Sequence, residues 1–101
     1  MFDKLFEAKQ KAEEVKTRLD GITVTGSAEG GKITVTATGN KVVRSISIDE
    51  DFLKTAEKEE LEDLLIIAAN RALEQAESIH QSEMAALSQQ MLGGLGGMFG
   101  K

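Results

Sequence analysis

The sequence contains no cysteine, which excludes disulfide bonds and thiolate chemistry. Its single histidine, His80, leaves too few residues for the common zinc sites and for histidine-assisted nucleophiles. We expect His80 to be an ordinary interfacial or solvent-facing side chain rather than a ligand or a base. No glycine-rich phosphate loop follows a strand. These gaps argue against an enzyme, and we predict neither a cofactor nor a bound metal.

Long apolar runs are also missing. The longest covers residues 64–69, whereas a membrane span needs about 20 residues. The first four residues include an acid and are not followed by a continuous apolar segment, so they do not resemble a signal peptide. We therefore expect a cytoplasmic protein that does not contact a membrane. The 101 residues suffice for one domain with a small core, which oligomerisation would help to stabilise.

Basic residues are outnumbered, and the net charge of −5 argues against a simple basic DNA-binding domain. The charge is unevenly distributed, however: residues 1–48 have a net charge of +2, residues 49–63 of −6 and residues 64–101 of −1. The acidic segment lacks the alternate ligand spacing of a calcium-binding loop. Carboxylates at the positive start of a helix explain this segment better than a metal site does.

The first half of the chain combines a helical pattern with strand patterns. Apolar side chains recur at steps of three and four over residues 2–19, which predicts an amphipathic helix. Gly21 follows this pattern, as is typical of a helix stop. Strict alternation of β-branched residues then predicts three strands joined by short links, and therefore an antiparallel meander. The strands are expected at residues 22–25, 33–37 and 42–48, with a hairpin loop at 27–31 and a tight turn at Gly39 and Asn40.

A long helical pattern follows the third strand. Thr55 is predicted to cap a helix that runs from about residue 56 to Met91. Thirty-six residues span roughly 54 Å, more than the width of a compact domain of this size, so the helix must project. Its apolar stripe needs a cover, either the stripe of the first helix or a second subunit. The residues assigned to this dimer or arm packing are Leu5, Ala12, Val15, Ala72, Ala76 and Ile79.

These patterns together predict an α+β fold. It consists of a helix, a three-stranded antiparallel β-meander and a long C-terminal helix, assembled as a homodimer. Residues 1–92 are expected to form a single domain. Residues 93–101 contain five glycines and are expected to be a flexible tail, because glycine disfavours the helix.

Several positions from the end of the third strand onward match the pattern of a known family. They are Ile48 and Asp49, Phe52 and Leu53, the stretch 61–64 with sequence LEDL, and the stretch 69–72 with sequence ANRA. In these positions the chain resembles the YbaB/EbfC family of small bacterial nucleoid-associated proteins. The family usually has proline after the aspartate matched by Asp49, whereas this chain has Glu50. The resemblance implies a tweezer-like homodimer that binds double-stranded DNA with little sequence specificity in the nucleoid, with effects on chromosome organisation and gene expression.

Basic side chains are the candidate contacts that this resemblance implies, because phosphate contacts dominate such binding. The alternative for the first helix is a solvated face of mixed charge, with pairs such as Glu7 and Lys11 at the favourable spacing of four. A different function also remains open, namely a protein-interaction module whose helical arms hold a protein partner. The candidate DNA contacts are Lys4, Lys9, Lys11, Lys16, Arg18 and Arg71.

Overall fold

The computed structural model describes the backbone of residues 2–99 and the side chains of residues 3–92. The three strands form one antiparallel sheet in the order β1-β2-β3, with a helix before it and helices after it. The predicted α+β class and β-meander are therefore confirmed. The elements are α1 (Phe2–Asp20), β1 (Thr23–Ala28), β2 (Ile33–Thr38), β3 (Val43–Ile48), α2 (Glu50–Thr55) and α3 (Lys58–Phe99).

The two hairpin turns contain the residues with positive φ. Between β1 and β2, Gly30 and Gly31 have φ angles of 64° and 91°, as the predicted turn requires. This loop is shorter than expected because β1 continues to Ala28. Between β2 and β3, Lys41 has a φ of 67°, and the buried Thr38 hydroxyl accepts hydrogen bonds from the backbone across the turn. These turns fix the register of the meander.

The core lies between α3 and the first two strands. Gly26 of β1 meets the helix so closely that a Cβ atom there would lie 2.3 Å from both the Ala68 carbonyl oxygen and the Ala72 nitrogen. Ala68, Ala72 and Ala76 form the contacting face of α3 and are completely buried. Small residues on both elements therefore allow the helix backbone to rest directly on the strand.

The third strand lies outside this cover. Ile46 pairs in register with Val35 and shares its face of the sheet, yet Val35 is fully buried whereas Ile46 is 57% exposed. Alternation predicted the face of Ile46 correctly. It did not reveal that α3 crosses only β1 and β2, so Val43 and Ile46 on the apolar face of β3 are uncovered in a single chain.

A short helix that the sequence analysis did not predict separates β3 from α3. Asp49 caps α2, because its side chain accepts a hydrogen bond of 3.0 Å from the Phe52 backbone nitrogen. Thr55 was predicted to cap the long helix, and that prediction is wrong. Its hydroxyl lies in the last turn of α2 and reaches back towards the backbone carbonyl oxygens of Asp51 and Phe52.

The long helix projects beyond the sheet, as predicted. It has 42 residues, and the molecule measures 66 × 21 × 17 Å along its principal axes. Helix α1 packs against the projecting half, where Val15 and Leu19 form a second, smaller buried cluster with Leu87. We call α1 together with residues 77–92 of α3 the arm.

The prediction of a flexible tail at residues 93–101 stays a prediction. The helix α3 extends past the predicted end at Met91 to Phe99. The side chains from residue 93 onward, and residues 100 and 101 altogether, lie outside the described part of the chain.

Candidate nucleic-acid interface

The basic residues of α1 are arranged in two rows. The apolar side chains of this helix recur at steps of three and four and form one stripe, called the seam below. Residues seven apart therefore lie on nearly the same side of the helix, about 10.5 Å apart along the axis. One row borders the seam on one side and consists of three residues spaced seven apart, Lys4, Lys11 and Arg18. The other borders it on the opposite side and consists of Lys9 and Lys16. The acidic residues of α1 occupy the remaining, outward face.

Arg18, in the first of these rows, is tied to α3. Its Nε and Nη2 atoms both donate to Oε1 of Glu83, at 2.9 and 2.5 Å. The Arg18 side chain is 59% exposed and that of Glu83 is 28% exposed. By contrast, Lys9, Lys11 and Lys16 are exposed and form no ion pair with any described residue.

Arg71 lies apart from these rows. Its Nη1 atom donates a 2.8 Å hydrogen bond to the Ser27 carbonyl oxygen at the free edge of β1. Gln75 makes a similar bond of 2.8 Å to the Thr25 carbonyl oxygen. These two side chains therefore join α3 to the edge strand, and the structure does not bring Arg71 together with the cations of α1.

A cation that the sequence analysis missed lies at the base of the arm. Lys41, in the β2–β3 turn, contacts Oε2 of Glu77 at 2.6 Å. The hydrogen bond from Lys41 and its positive charge hold the pKa of the Glu77 carboxyl below its usual value. Nothing in the local sequence indicates this contact, because the partners are 36 positions apart.

A groove of about 390 Å³ separates α1 from α3 on the side of the second row. Lys16 and His80 lie along it, and Met84 forms part of its apolar lining. At its base Asn40 donates hydrogen bonds to the Lys16 carbonyl oxygen (2.8 Å) and to the carboxylate of Asp20 (2.5 Å). His80 is half-buried at this position.

The residues assigned to dimer or arm packing fall into two groups. Val15, Ala72 and Ala76 are buried within the single chain, and the half-buried Ile79 packs against both apolar clusters. Leu5 and Ala12 lie on the seam of α1 but are exposed, Leu5 to 69%. Contacts within a single chain thus bury most of the residues of the predicted stripe.

Two properties of the described residues bear on other kinds of site. Within residues 2–99, no helix is both long and apolar enough to span a membrane. No group of three or more histidine, aspartate or glutamate side chains that could hold a metal ion occurs in the same part of the chain. The predicted acidic start of the long helix is present, with Glu59 and Glu60 in the first turn of α3.

The chain is similar in sequence to known proteins. The sequence profile of the YbaB/EbfC DNA-binding family matches residues 1–91. The chain belongs to the YbaB/EbfC family. A nucleoid-associated protein of Flavobacterium johnsoniae is 37% identical over 98 residues, which cover 97% of this chain and 91% of that protein. A nucleoid-associated protein of Nitrobacter winogradskyi is 42% identical over 91 residues, covering 90% and 80% of the two chains.

A solved structure supports the fold. An uncharacterized protein from Helicobacter pylori superposes with a TM-score of 0.69, covering 87% of this chain and 88% of that one. The two sequences are 20% identical, so this likeness concerns the fold alone.

The departure from the YbaB/EbfC pattern at Glu50 has a structural explanation. Asp49 has extended backbone angles, φ −59° and ψ 131°, and Glu50 is the first residue of α2. Proline is favoured at a first helical position because its fixed φ suits the helix and its missing N–H is not needed there. Glutamate is also accepted there, because its charge interacts favourably with the positive helix start. The turn is therefore compatible with either residue.

Proposed function

We propose that this protein is a nucleoid-associated protein that binds double-stranded DNA with little sequence specificity, without enzymatic chemistry, through the two cation rows of α1. The observation that carries the proposal is that the rows run along the arm, and that Lys9, Lys11 and Lys16 are exposed and have no acidic partner among the described residues. Such cations suit phosphates, which supply affinity without base readout. An influence on chromosome organisation and gene expression would follow from this binding.

The net negative charge does not conflict with this proposal, because it arises mainly in the segment 49–63, which has a net charge of −6 and ends near the start of α3, away from the arm. The acidic segment ends at Asp63, and Glu83, opposite Arg18, comes 20 residues later in the same helix. Twenty residues of helix span about 30 Å. Charges on the protein surface are largely screened beyond about 8 Å at physiological salt. The acidic segment therefore has little effect on phosphates at the arm.

The uncovered face of β3 supports the homodimer that belongs to this proposal. Val43 and Ile46 of β3 are 43% and 57% exposed, and Ile66 of α3 is 58% exposed. Ile66 and Glu77 are eleven positions apart, about three helical turns, so they lie on the same side of α3. Glu77 contacts Lys41 in the turn that leads into β3. We call Val43, Ile46 and Ile66 the β3 patch. A second copy presenting the same patch would bury it in a two-fold symmetric interface and place an arm on each side.

A salt-dependent titration tests the DNA-binding proposal. We expect the fluorescence anisotropy of a labelled duplex to rise on addition of protein, whatever its sequence. The logarithm of affinity should fall linearly with the logarithm of salt, by about 0.9 for each phosphate neutralised. The absence of detectable binding at about 50 mM salt would refute the proposal.

Exposed apolar side chains on the arm favour one other candidate, a helical-arm module that binds a protein. Met84, Met91 and Leu92 of α3 are 38%, 44% and 64% exposed. Capture from a nuclease-treated lysate separates the two functions. A protein that is retained after all nucleic acid has been degraded, together with a failed DNA titration, would favour the protein-binding function.

A further inference from the structure

We infer that Glu83 competes with DNA phosphate for Arg18 and so limits the affinity of the arm; this inference rests on the proposed DNA binding. Glu83 lies on α3, whereas the cation rows lie on α1, and the two helices meet at this ion pair. The Glu83 carboxylate is therefore an anion of the protein itself that occupies the guanidinium expected to face a DNA phosphate.

The geometry of the pair shows why the two anions compete. Nε and Nη2, which form one edge of the Arg18 guanidinium, both donate to Oε1 of Glu83. Carboxylate and phosphate bind guanidinium groups through the same paired N–H donors, so this edge cannot serve both. The Arg18 side chain is 59% exposed, which leaves it accessible to a phosphate from solvent.

A phosphate that approached the other edge of Arg18 would still meet the charge of Glu83. The carboxylate lies within a few ångströms of that position, well inside the roughly 8 Å over which salt screens such charges. The ion pair also neutralises Arg18, so fewer counterions are released when this side chain contacts DNA. Glu83 therefore lowers both the affinity and its dependence on salt.

Arg18 differs in this respect from Lys9, Lys11 and Lys16. These three side chains are exposed and form no ion pair with any residue whose side chain is described, so no carboxylate is bound to them directly. The ion pair between Arg18 and Glu83 lies beside the small cluster of Val15, Leu19 and Leu87, which holds α1 on α3 by apolar contact. The arm thus has a means of packing that does not depend on the charge of Glu83.

The substitution Glu83→Gln separates competition from a purely structural role, because the amide oxygen can still accept a hydrogen bond from Arg18. We expect the variant to bind duplex DNA about two- to fivefold more tightly at 150 mM salt. Its log–log salt slope should be steeper by about 0.9, corresponding to one additional phosphate neutralised. The matched control is Glu13→Gln, which makes the same change of charge on exposed α1 without breaking an ion pair among the described side chains.

A double-mutant cycle with Arg18→Gln completes the test, with thermal melts to verify that each variant folds. If Glu83 acts through Arg18, Glu83→Gln should leave the affinity of the Arg18→Gln protein almost unchanged. Equal affinity and slope for wild type and Glu83→Gln, or an equal gain from Glu13→Gln, would overturn the inference while DNA binding stands. If the wild type bound no duplex DNA, both the proposed function and the inference would fail.

Discussion

The two ends of α3 are packed in different ways. At the sheet, Ala68 and Ala72 rest directly on the backbone of Gly26, and the apolar side chains of β2 are completely buried. At the arm, the same helix packs mainly against α1, through the small cluster around Leu87 and the ion pair between Arg18 and Glu83. The first region provides the stability of the domain. The second presents a long, thin, charged surface, and its weak packing is compatible with adjustment to a partner.

The largest effect is expected where α3 touches β1. Gly26→Ala would place a Cβ atom 2.3 Å from two backbone atoms of α3, so the helix must move away from the strand. We expect the free energy of unfolding to fall by about 3 kcal/mol or more, measured by urea denaturation. Gly30→Ala is the control, because no atom lies within 4 Å and only the positive φ is penalised, by about 1 kcal/mol. Equal losses for the two variants would show that α3 does not rest on β1 in this way.

A change in the β3 patch should affect assembly rather than folding. Ile46→Glu introduces a charge at a residue that is 57% exposed in the single chain. Burying that charge in a dimer is costly, so we expect association to weaken more than tenfold and sedimentation to report a monomer at micromolar concentration. Ser47→Glu adds the same charge on the opposite face of β3. A dimer that tolerates Ile46→Glu but not Ser47→Glu would place the interface on the hydroxyl-bearing face of the sheet.

Loosening the arm should leave the sheet intact. Leu87 is 8% exposed, and Leu87→Ala removes the buried side chain that α3 contributes to the small cluster with α1. We expect a local loss of about 2 kcal/mol, seen as faster hydrogen exchange in α1 with little change in β1 and β2. The 64% exposed Leu92 provides the control, since Leu92→Ala removes little buried surface. Faster exchange throughout the chain would indicate that arm and sheet unfold together.

The smallest effect concerns the ion pair at the base of the arm. Lys41 lowers the pKa of Glu77 relative to its ordinary value near 4.5 in the unfolded chain. The pair therefore stabilises the fold above that pH, and its contribution is lost as the pH falls through the lower pKa of the folded state. An NMR titration should show the Glu77 carboxyl pKa rising towards its ordinary value in Lys41→Gln. An unchanged pKa in this variant would mean that the pair does not form in solution.

Much of the fold could be predicted from the sequence because its signals are local. Alternating threonine, valine and isoleucine residues predict β1 and β2, and the long spacing pattern after residue 56 predicts α3. The short α2 was missed because six residues with an acidic start look like a turn. Gly26 lies just beyond the predicted end of the first strand, and the reason for its small size appears only once α3 is seen to cross there.

The site was predicted less completely, because its organisation depends on distant contacts. The basic residues of α1 could be identified as candidate DNA contacts from their charge, and their spacing of seven residues is present in the sequence. The pairing of Arg18 with Glu83 joins residues 65 positions apart, and that of Lys41 with Glu77 joins residues 36 apart. Likewise, periodicity identifies the apolar face of β3 but does not show whether a helix covers it.

The most direct test of the central claim compares two triple variants of equal charge. Lys9→Gln, Lys11→Gln and Lys16→Gln remove three arm cations, whereas Arg44→Gln, Lys54→Gln and Lys58→Gln remove three exposed cations outside the arm. In a salt-dependent duplex titration, we expect the arm variant to lose about 0.9 of log–log slope for each phosphate contact removed, and the second variant to keep a slope near wild type. Equal losses of slope and affinity in both variants would contradict the assignment of DNA binding to the arm.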